Sequence, residues 1–393
     1  MKIVVTGGWS YGNIGDEAIA AATIHLIDRY FPSVPVQYMA YDPADFYTNH
    51  NIRAVPSLHA RLEKESPAEL ERMLAAPDAP VLAEYRDLMD GDTVFIMSGG
   101  GYFHQNWISQ FYTRLLEIRV AKACGAKVAL IGQSIGPVFP GKGRELLRQT
   151  LDLCDYLCVR DVSTVELLES LGLSVPVAYA PDLAMVICDA ITPAEKPVQR
   201  IISIMPAAYS AYVSNQRRKP RNKWMEKFKK HLSPAGKNYP RQLQKLLQGL
   251  VKRENVKIRF VLSTTWAWDR KLAESLADTL PANRYEIRFC KTCRELCESL
   301  SEGSLTISTK MHPLIVSTSY GIDSIGISYN YKVDDFMTLI GNAHSCFRID
   351  RVRADEMLAQ VEKKLDSSVD PSEHKQAVYD SFAALVRSVG VSL

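Results

Sequence analysis

Nowhere in this chain do apolar residues run for the roughly 18 to 20 positions that a bilayer-crossing helix needs, so no spanning segment is expected. An excess of charge is missing too. Lys and Arg total 47 against 44 Asp and Glu, a net +3, which gives no global electrostatic case for a nucleic-acid partner. The first residues, MKIVVTGGWSYGNIGDE, hold one Lys and a short apolar run before turning polar and glycine-rich. They lack a small-residue cleavage pattern and read as a first β-strand, not a signal peptide. A second Cys/His pair at zinc-site spacing, to accompany the one cysteine run, is absent as well. Cys290, Cys293 and Cys297 form one short run with no second Cys/His pair beside it, so packing is the expected role and no metal is assigned. The eight cysteines stand in mostly apolar or helical surroundings and read as reduced thiols of a cytoplasmic protein. Neither an internal repeat nor a low-complexity tract interrupts the chain.

What is present is an ordinary globular balance, 47% hydrophobic and 23% charged over 393 residues. At roughly 150 residues per domain, that length predicts two or three domains. Strand, loop and helix alternate. Apolar strands are expected at 2–6, 36–40, 93–97, 127–131, 156–159 and 177–179, with helical runs such as 17–30 between them. Ser66-Pro67-Ala68-Glu69 has a capping-box pattern with Pro at the first helical position, so a helix starts there. The stretch 187–199, with Pro193 and Pro197, reads as a linker. Beyond it the alternation resumes at 201–205, 256–262, 285–289, 305–307 and 324–327, and a last helix covers about 373–389. The expected organisation is an N-terminal Rossmann-like domain over 1–190, a linker at 191–199, and a C-terminal Rossmann-like domain over 200–370. The second domain carries a basic insertion at 214–238, and a C-terminal helix occupies 371–393. Two such α/β blocks predict parallel-sheet domains facing each other across a cleft, with ligands outside the carboxyl ends of the strands.

Several loops at predicted strand ends could carry chemistry. Gly7 to Glu17 joins the first strand to the first helix. It fits neither the dinucleotide fingerprint nor the P-loop. Its plain reading is a turn with Asp16 capping the helix; its functional reading has Asn13, Gly15 and Asp16 facing a ligand. Gly99-Gly100-Gly101 and Gly132-Gln133-Ser134-Ile135-Gly136-Pro137 end two further strands, and glycines there permit close approach to a ligand or to a neighbouring loop. Ser308-Thr309-Lys310-Met311-His312-Pro313 delivers a Lys and a His to a helix start, where the dipole favours a neutral imidazole able to act as a base. Lys332 and Arg160 follow strands in the same way. Cations gathered at helix N-termini suit a small, multiply charged anion. The tract 217–230, RRKPRNKWMEKFKK, is open to two readings. One is a solvated insertion. The other is a contact with anionic lipid or a diphosphate-bearing acceptor, peripheral at the inner face of the plasma membrane.

Together these segments resemble the polysaccharide pyruvyl transferase family. The resemblance rests on Gly12-Asn13-Ile14-Gly15-Asp16-Glu17, the Gly99-Gly100-Gly101 turn, Gly132 to Pro137, Val159-Arg160-Asp161, and the segment from Lys310-Met311-His312 to Lys332. It runs over about residues 1 to 340. It implies transfer of pyruvate from phosphoenolpyruvate to two hydroxyls of a sugar as a cyclic ketal, in bacterial surface or exopolysaccharide biosynthesis. A GT-B-like fold of two Rossmann-like domains follows from it, with phosphoenolpyruvate as co-substrate and no cofactor or metal. The acceptor is a sugar, on a lipid-linked oligosaccharide in one version. In family members a basic-x-His motif, usually Arg-x-His, is associated with donor binding and catalysis, which carries over to Lys310 and His312. Lys keeps the charge of Arg but loses its bidentate fork.

The chemistry needs cationic and N–H partners for a phosphate and a carboxylate, and a group that serves as acid in one step and base in another. His312 and Asp16 are assigned as catalytic. Lys310, Arg160, Lys332, Gly100 and Gly101 are assigned to the donor, and Asn13, Gly15, Gln133 and Ser134 to the acceptor or cleft. Two rival classes use the same architecture: a metal-independent nucleotide-sugar glycosyltransferase, and a non-catalytic component of a polysaccharide-assembly complex.

Overall fold

Strands buried on both faces read as continuous apolar runs, because helices cover a parallel sheet above and below. Thr93–Met97 and Ser324–Ser328 are buried at every position, and both are central strands. The computed structural model describes residues 1–208, 234–263 and 267–391. The basic tract 217–230 lies outside the described residues. Of the expected insertion 214–238, only 234–238 falls within them, at the start of a helix Pro234–Leu250. The chain divides into two compact units, Met1–Ala190 with Ser372–Leu393, and Ile191–Pro371.

The first unit holds β1 (Lys2–Thr6), β2 (Val36–Ala40), β3 (Ala54–Pro56), β4 (Thr93–Met97), β5 (Gly100–Phe103), β6 (Lys127–Ile135), β7 (Tyr156–Val159) and β8 (Val177–Tyr179). They form one sheet in the order β3-β2-β1-β4-β6-β7-β8, with β5 also paired to β6. Every pairing is parallel. The second unit holds β9 (Arg200–Met205), β10 (Val256–Leu262), β11 (Tyr285–Phe289), β12 (Leu305–Ser308), β13 (Ser324–Ser328) and β14 (Cys346–Arg348). Its parallel order is β11-β10-β9-β12-β13-β14. In each unit the order reverses direction once, between β1 and β4 and between β9 and β12. Such reversals leave a crevice at the carboxyl ends of the two strands, where ligands bind in open α/β sheets.

Four local expectations change. The Gly99–Gly101 segment is not a simple turn, because Gly100–Phe103 rejoins the sheet beside β6. That path requires Gly99 to pass Gly132, whose carbonyl oxygen would lie 2.8 Å from any added Cβ. The first helix begins at Ile14 and not near Glu17, because Asn13 caps it: its side chain accepts from the Gly15 amide. Asp16, read as the cap, sits inside the first turn. Ile187–Ala190 is a helical turn with Ile187 fully buried, so the linker-like stretch starts after it. β3 and β14 were not expected: each is three residues long, and they end in Pro56 and Arg348. Among the described residues no helix is long and apolar enough to cross a membrane.

Candidate functional site

In the second unit, the β9/β12 crevice is built by three loops. Thr309 turns back onto β9, donating from its amide and its hydroxyl to the Met205 carbonyl at 3.2 and 3.0 Å. Lys310 is the N-cap position of the helix Met311–Ser319, so His312 stands on its first turn, half-buried. The Ser308 hydroxyl fixes that corner: the Lys310 amide donates to it, and it donates to the Lys310 carbonyl, both at 2.9 Å. The Lys310 ammonium lies 2.8 Å from the carboxylate of Asp269, whose side chain is 1% exposed. Asp269 comes from the first turn of the helix Ala267–Ala277 after β10, and its other oxygen accepts from the Ala208 amide at 2.8 Å. One carboxylate therefore ties the loops after β9, β10 and β12 together. Tyr329, ending β13, has its phenol pushed up to about 12, first by burial and then by the Asp269 charge. Asn330 caps the next helix by accepting from the Lys332 amide at 3.1 Å, which sets Lys332 on that helix's first turn. A lysine, an imidazole, a phenol and helix N-termini are the parts from which acid–base chemistry on an anionic substrate can be assembled.

The first unit has its own crevice at β1/β4. Asn13 donates from its amide nitrogen to the Asp16 carboxylate at 2.9 Å, so the two form one polar pair at the rim. Ser10, at φ 64, is held by its backbone amide, which donates at 2.5 Å to the carboxylate of Glu17, itself buried and paired with His50 at 2.9 Å. Beneath the loop, Arg114 donates to Thr6 at 3.0 Å and to the Gly7 carbonyl at 2.9 Å, and pairs with Glu117 at 2.7 Å. Burial raises the Glu117 carboxyl in spite of that pairing.

The remaining predicted residues sit lower. Gln133 is fully buried and donates to the Ser98 carbonyl at 2.5 Å, bracing the end of β4. The Ser134 hydroxyl accepts from Arg160 at 2.8 Å. Arg160 is 8% exposed and forms an ion pair with Asp182. These three make a buried support under the rim and do not line it. Gly100 serves internal packing, since a Cβ there would lie 1.7 Å from the Tyr102 ring. Gly101 follows within β5, and Gly15 is buried in the capped turn.

Sequence reasoning missed Asp269, Asp182, Glu117 and Tyr329. An Asp shortly after each of the strands 256–262 and 177–179 was the available signal for the first two.

Cys290, Cys293 and Cys297 are all buried, and among the described residues no group of three or more His, Cys, Asp or Glu could hold a metal ion. Burial pushes the Cys290 thiol up to about 11. A cavity of ≈ 420 Å³ in the first unit is lined by His25, Arg29, Asp189, Lys375 and Tyr379. Arg29 lies roughly 20 Å along the first helix from Asp16, at about 1.5 Å rise per residue, so this cavity belongs to the far end of the helix and not to the strand ends.

Comparison with known proteins bears on what this site does. A family model described as "Polysaccharide pyruvyl transferase" matches residues 13–331. The UDP-GlcNAc 2-epimerase from Methanocaldococcus jannaschii shares the fold at 11% identity and TM-score 0.61, over 98% of this chain and 100% of its own. A UDP-GlcNAc 2-epimerase from Neisseria meningitidis, solved bound to UDP-GlcNAc, is 12% identical with TM-score 0.60, over 98% and 100% of the two chains. Likeness at that identity is one of fold, and it makes this an α/β protein of two Rossmann-like domains, GT-B-like.

Proposed function

Because the chain belongs to the polysaccharide pyruvyl transferase family, we propose that it moves pyruvate from phosphoenolpyruvate onto two hydroxyls of a sugar as a cyclic ketal, in building a bacterial surface or exported polysaccharide. The observation that carries this reading is the Lys310–Asp269 pair at the β9/β12 crevice, with His312 on the adjoining helix turn. Phosphoenolpyruvate brings a phosphate and a carboxylate, and Lys310 and Lys332 are the cations assigned to them. Asp269 aims Lys310.

His312 is the proton carrier. It gives a proton to the methylene carbon, which becomes the methyl group, while the first sugar hydroxyl bonds to the central carbon. It then recovers the proton of that hydroxyl. Phosphate leaves with the electron pair of its C–O bond, the second hydroxyl closes the ring, and the second hydroxyl proton departs with phosphate. One group that is acid and then base meets both demands when its ordinary pKa lies near neutrality. Asp16, with Asn13, is assigned to the sugar hydroxyls. Arg160 and Ser134 are assigned as a buried support within the first unit.

A nucleotide-sugar transferase is the second reading, favoured by the likeness to enzymes that handle UDP-GlcNAc. Calorimetric titration with phosphoenolpyruvate and, separately, with uridine diphosphate tests both. Phosphoenolpyruvate is expected to bind, and Lys310→Ala to weaken it about 10- to 100-fold, the worth of one charge-assisted hydrogen bond. His312→Ala is expected to keep donor binding and lose about 10²- to 10⁴-fold in turnover. Binding of the nucleotide alone would replace this reading with the second.

A further inference from the structure

The first-unit crevice continues into a surface unlike the Lys310 site. Tyr11 and Tyr41 come from the loops after β1 and β2, His59 from the helix Leu58–Leu62 after β3, and His104 and Trp107 from the segment after β5. Tyr11 and Tyr41 are stacked, with centroids 4.1 Å apart at 19°. The His59 ring is 5.9 Å from each of them. Trp107 is 52% exposed and packs tilted at 44° on His104, with centroids 4.3 Å apart.

The helix Ile108–Ala123 joins the two groups, because residues three apart share a helix face. Trp107 stands at its N-cap position. Gln110 neighbours the Tyr11 hydroxyl. Thr113 bonds the His59 Nδ1 at 3.0 Å. The loop carrying Trp107 is pinned as well: the Phe139 amide donates to the Gln105 side chain at 2.6 Å, and the Gln105 amide to the Pro137 carbonyl at 3.0 Å.

Beside one acid, Glu63, which accepts from the Tyr41 hydroxyl at 2.5 Å, this wall presents neutral groups. Burial, helped by the nearby Arg114 charge, lowers His59 to about 4, so the imidazole is uncharged at neutral pH. Burial pushes the Tyr11 phenol up to about 12. Arg114 itself is buried and paired with Glu117. A phosphate or carboxylate would gain little here. A pyranose has what these groups complement: an apolar C–H face for an aromatic ring and hydroxyls for uncharged donors and acceptors. Aromatic bodies with polar handles serve such half-apolar ligands.

We propose that this wall is the subsite for a neutral pyranose of the acceptor, stacked by its C–H face on Trp107 and oriented by the Tyr41 hydroxyl with its Glu63 partner. Calling that pyranose the acceptor rests on the pyruvyl-transfer reading; its binding does not. The test is saturation-transfer NMR on the full chain with the methyl glycosides of glucose, galactose and mannose. At least one glycoside is expected to receive saturation at its ring C–H protons. Trp107→Ala should weaken it at least about tenfold, as for a stacking anchor, and Trp107→Phe should restore most of the binding. Trp107 is exposed, so the variant should keep the parent circular dichroism spectrum. Absence of signal for all three glycosides, or signals indifferent to Trp107→Ala, overturns the subsite. Titration with phosphoenolpyruvate separates the two claims. Donor binding without glycoside binding rejects the subsite alone, and Trp107-dependent glycoside binding without donor binding keeps the subsite and rejects pyruvyl transfer.

Discussion

The Lys310 ammonium is 14% exposed and rests on an Asp269 carboxylate that is 1% exposed. A pair this deep gains little net stability over an apolar equivalent, but removing one partner leaves a charge without compensation. Asp269→Ala is therefore expected to cost about 3 kcal/mol, read by urea denaturation. The double variant Asp269→Ala/Lys310→Ala should cost less than the single Asp269 change, because the stranded charge is gone too. A double variant as unstable as the sum of the singles would show that the two side chains act independently. Lys310 and His312 were legible because a strand running straight into a basic-x-His helix start is visible in the sequence. Asp269 was not, since an acid in a first helical turn is also what the helix dipole favours on its own. Arg160 was half legible for a related reason. Its place after β7 is readable, but Asp182, which holds its charge, arrives from a loop that only the fold brings near.

At the scale of elements, the glycine loops of the first unit interlock around one side chain. The Tyr102 hydroxyl donates to the Gly8 carbonyl at 2.6 Å, and its ring stands 5.5 Å from the Arg114 guanidinium. A Cβ at Gly8 would lie 1.4 Å from the Tyr102 ring, which no rotamer change at Gly8 itself can relieve. Gly8→Ala should thus destabilise the protein by about 2 to 3 kcal/mol through overpacking. In a Tyr102→Ala background the same change should cost much less, because the ring it strikes is absent. Equal costs in both backgrounds, by thermal denaturation, would place the defect elsewhere. The strands were readable because buried parallel strands hold unbroken apolar runs, and 94–97 of β4 and 128–131 of β6 are such runs. What the glycines are for was not readable. Close approach to a ligand and close approach to a neighbouring loop demand the same residue, and only the position of Tyr102 decides for the loop. Short β3 and β14 escaped because Pro56 ends one and Arg348 the other, so neither reads as an apolar run, unlike the equally short β8.

At the scale of the whole molecule, the sequence places a final helix correctly without showing which unit owns it. The helix Ser372–Ser388 returns to the first unit and buries Val378, Phe382, Leu385 and Val386 there. The Tyr156 hydroxyl donates to the Ser381 carbonyl at 2.8 Å and the Tyr30 hydroxyl to the Tyr379 carbonyl at 3.1 Å, so β7 and the first helix are both tied to it. Lys375 and the Tyr379 hydroxyl each bond Asp189 at 2.8 Å, fixing the helix beside the end of the first unit's long N-terminal stretch. At about 1.5 to 3 kcal/mol per large buried apolar side chain, losing this helix removes on the order of 6 kcal/mol or more from the first unit. That is comparable with the whole stability of an ordinary domain. Deleting 372–393 should accordingly raise hydrogen exchange throughout β6, β7 and the helix Ile14–Tyr30, while β9, β10 and β12 keep their protection. The contrast follows from ownership: the strands of the second unit draw their core from residues within 191–371. Loss of protection in both units together would mean that the two cores fold as one cooperative body, and unchanged protection in β6 and β7 would mean that the helix contributes no stability to the unit it covers.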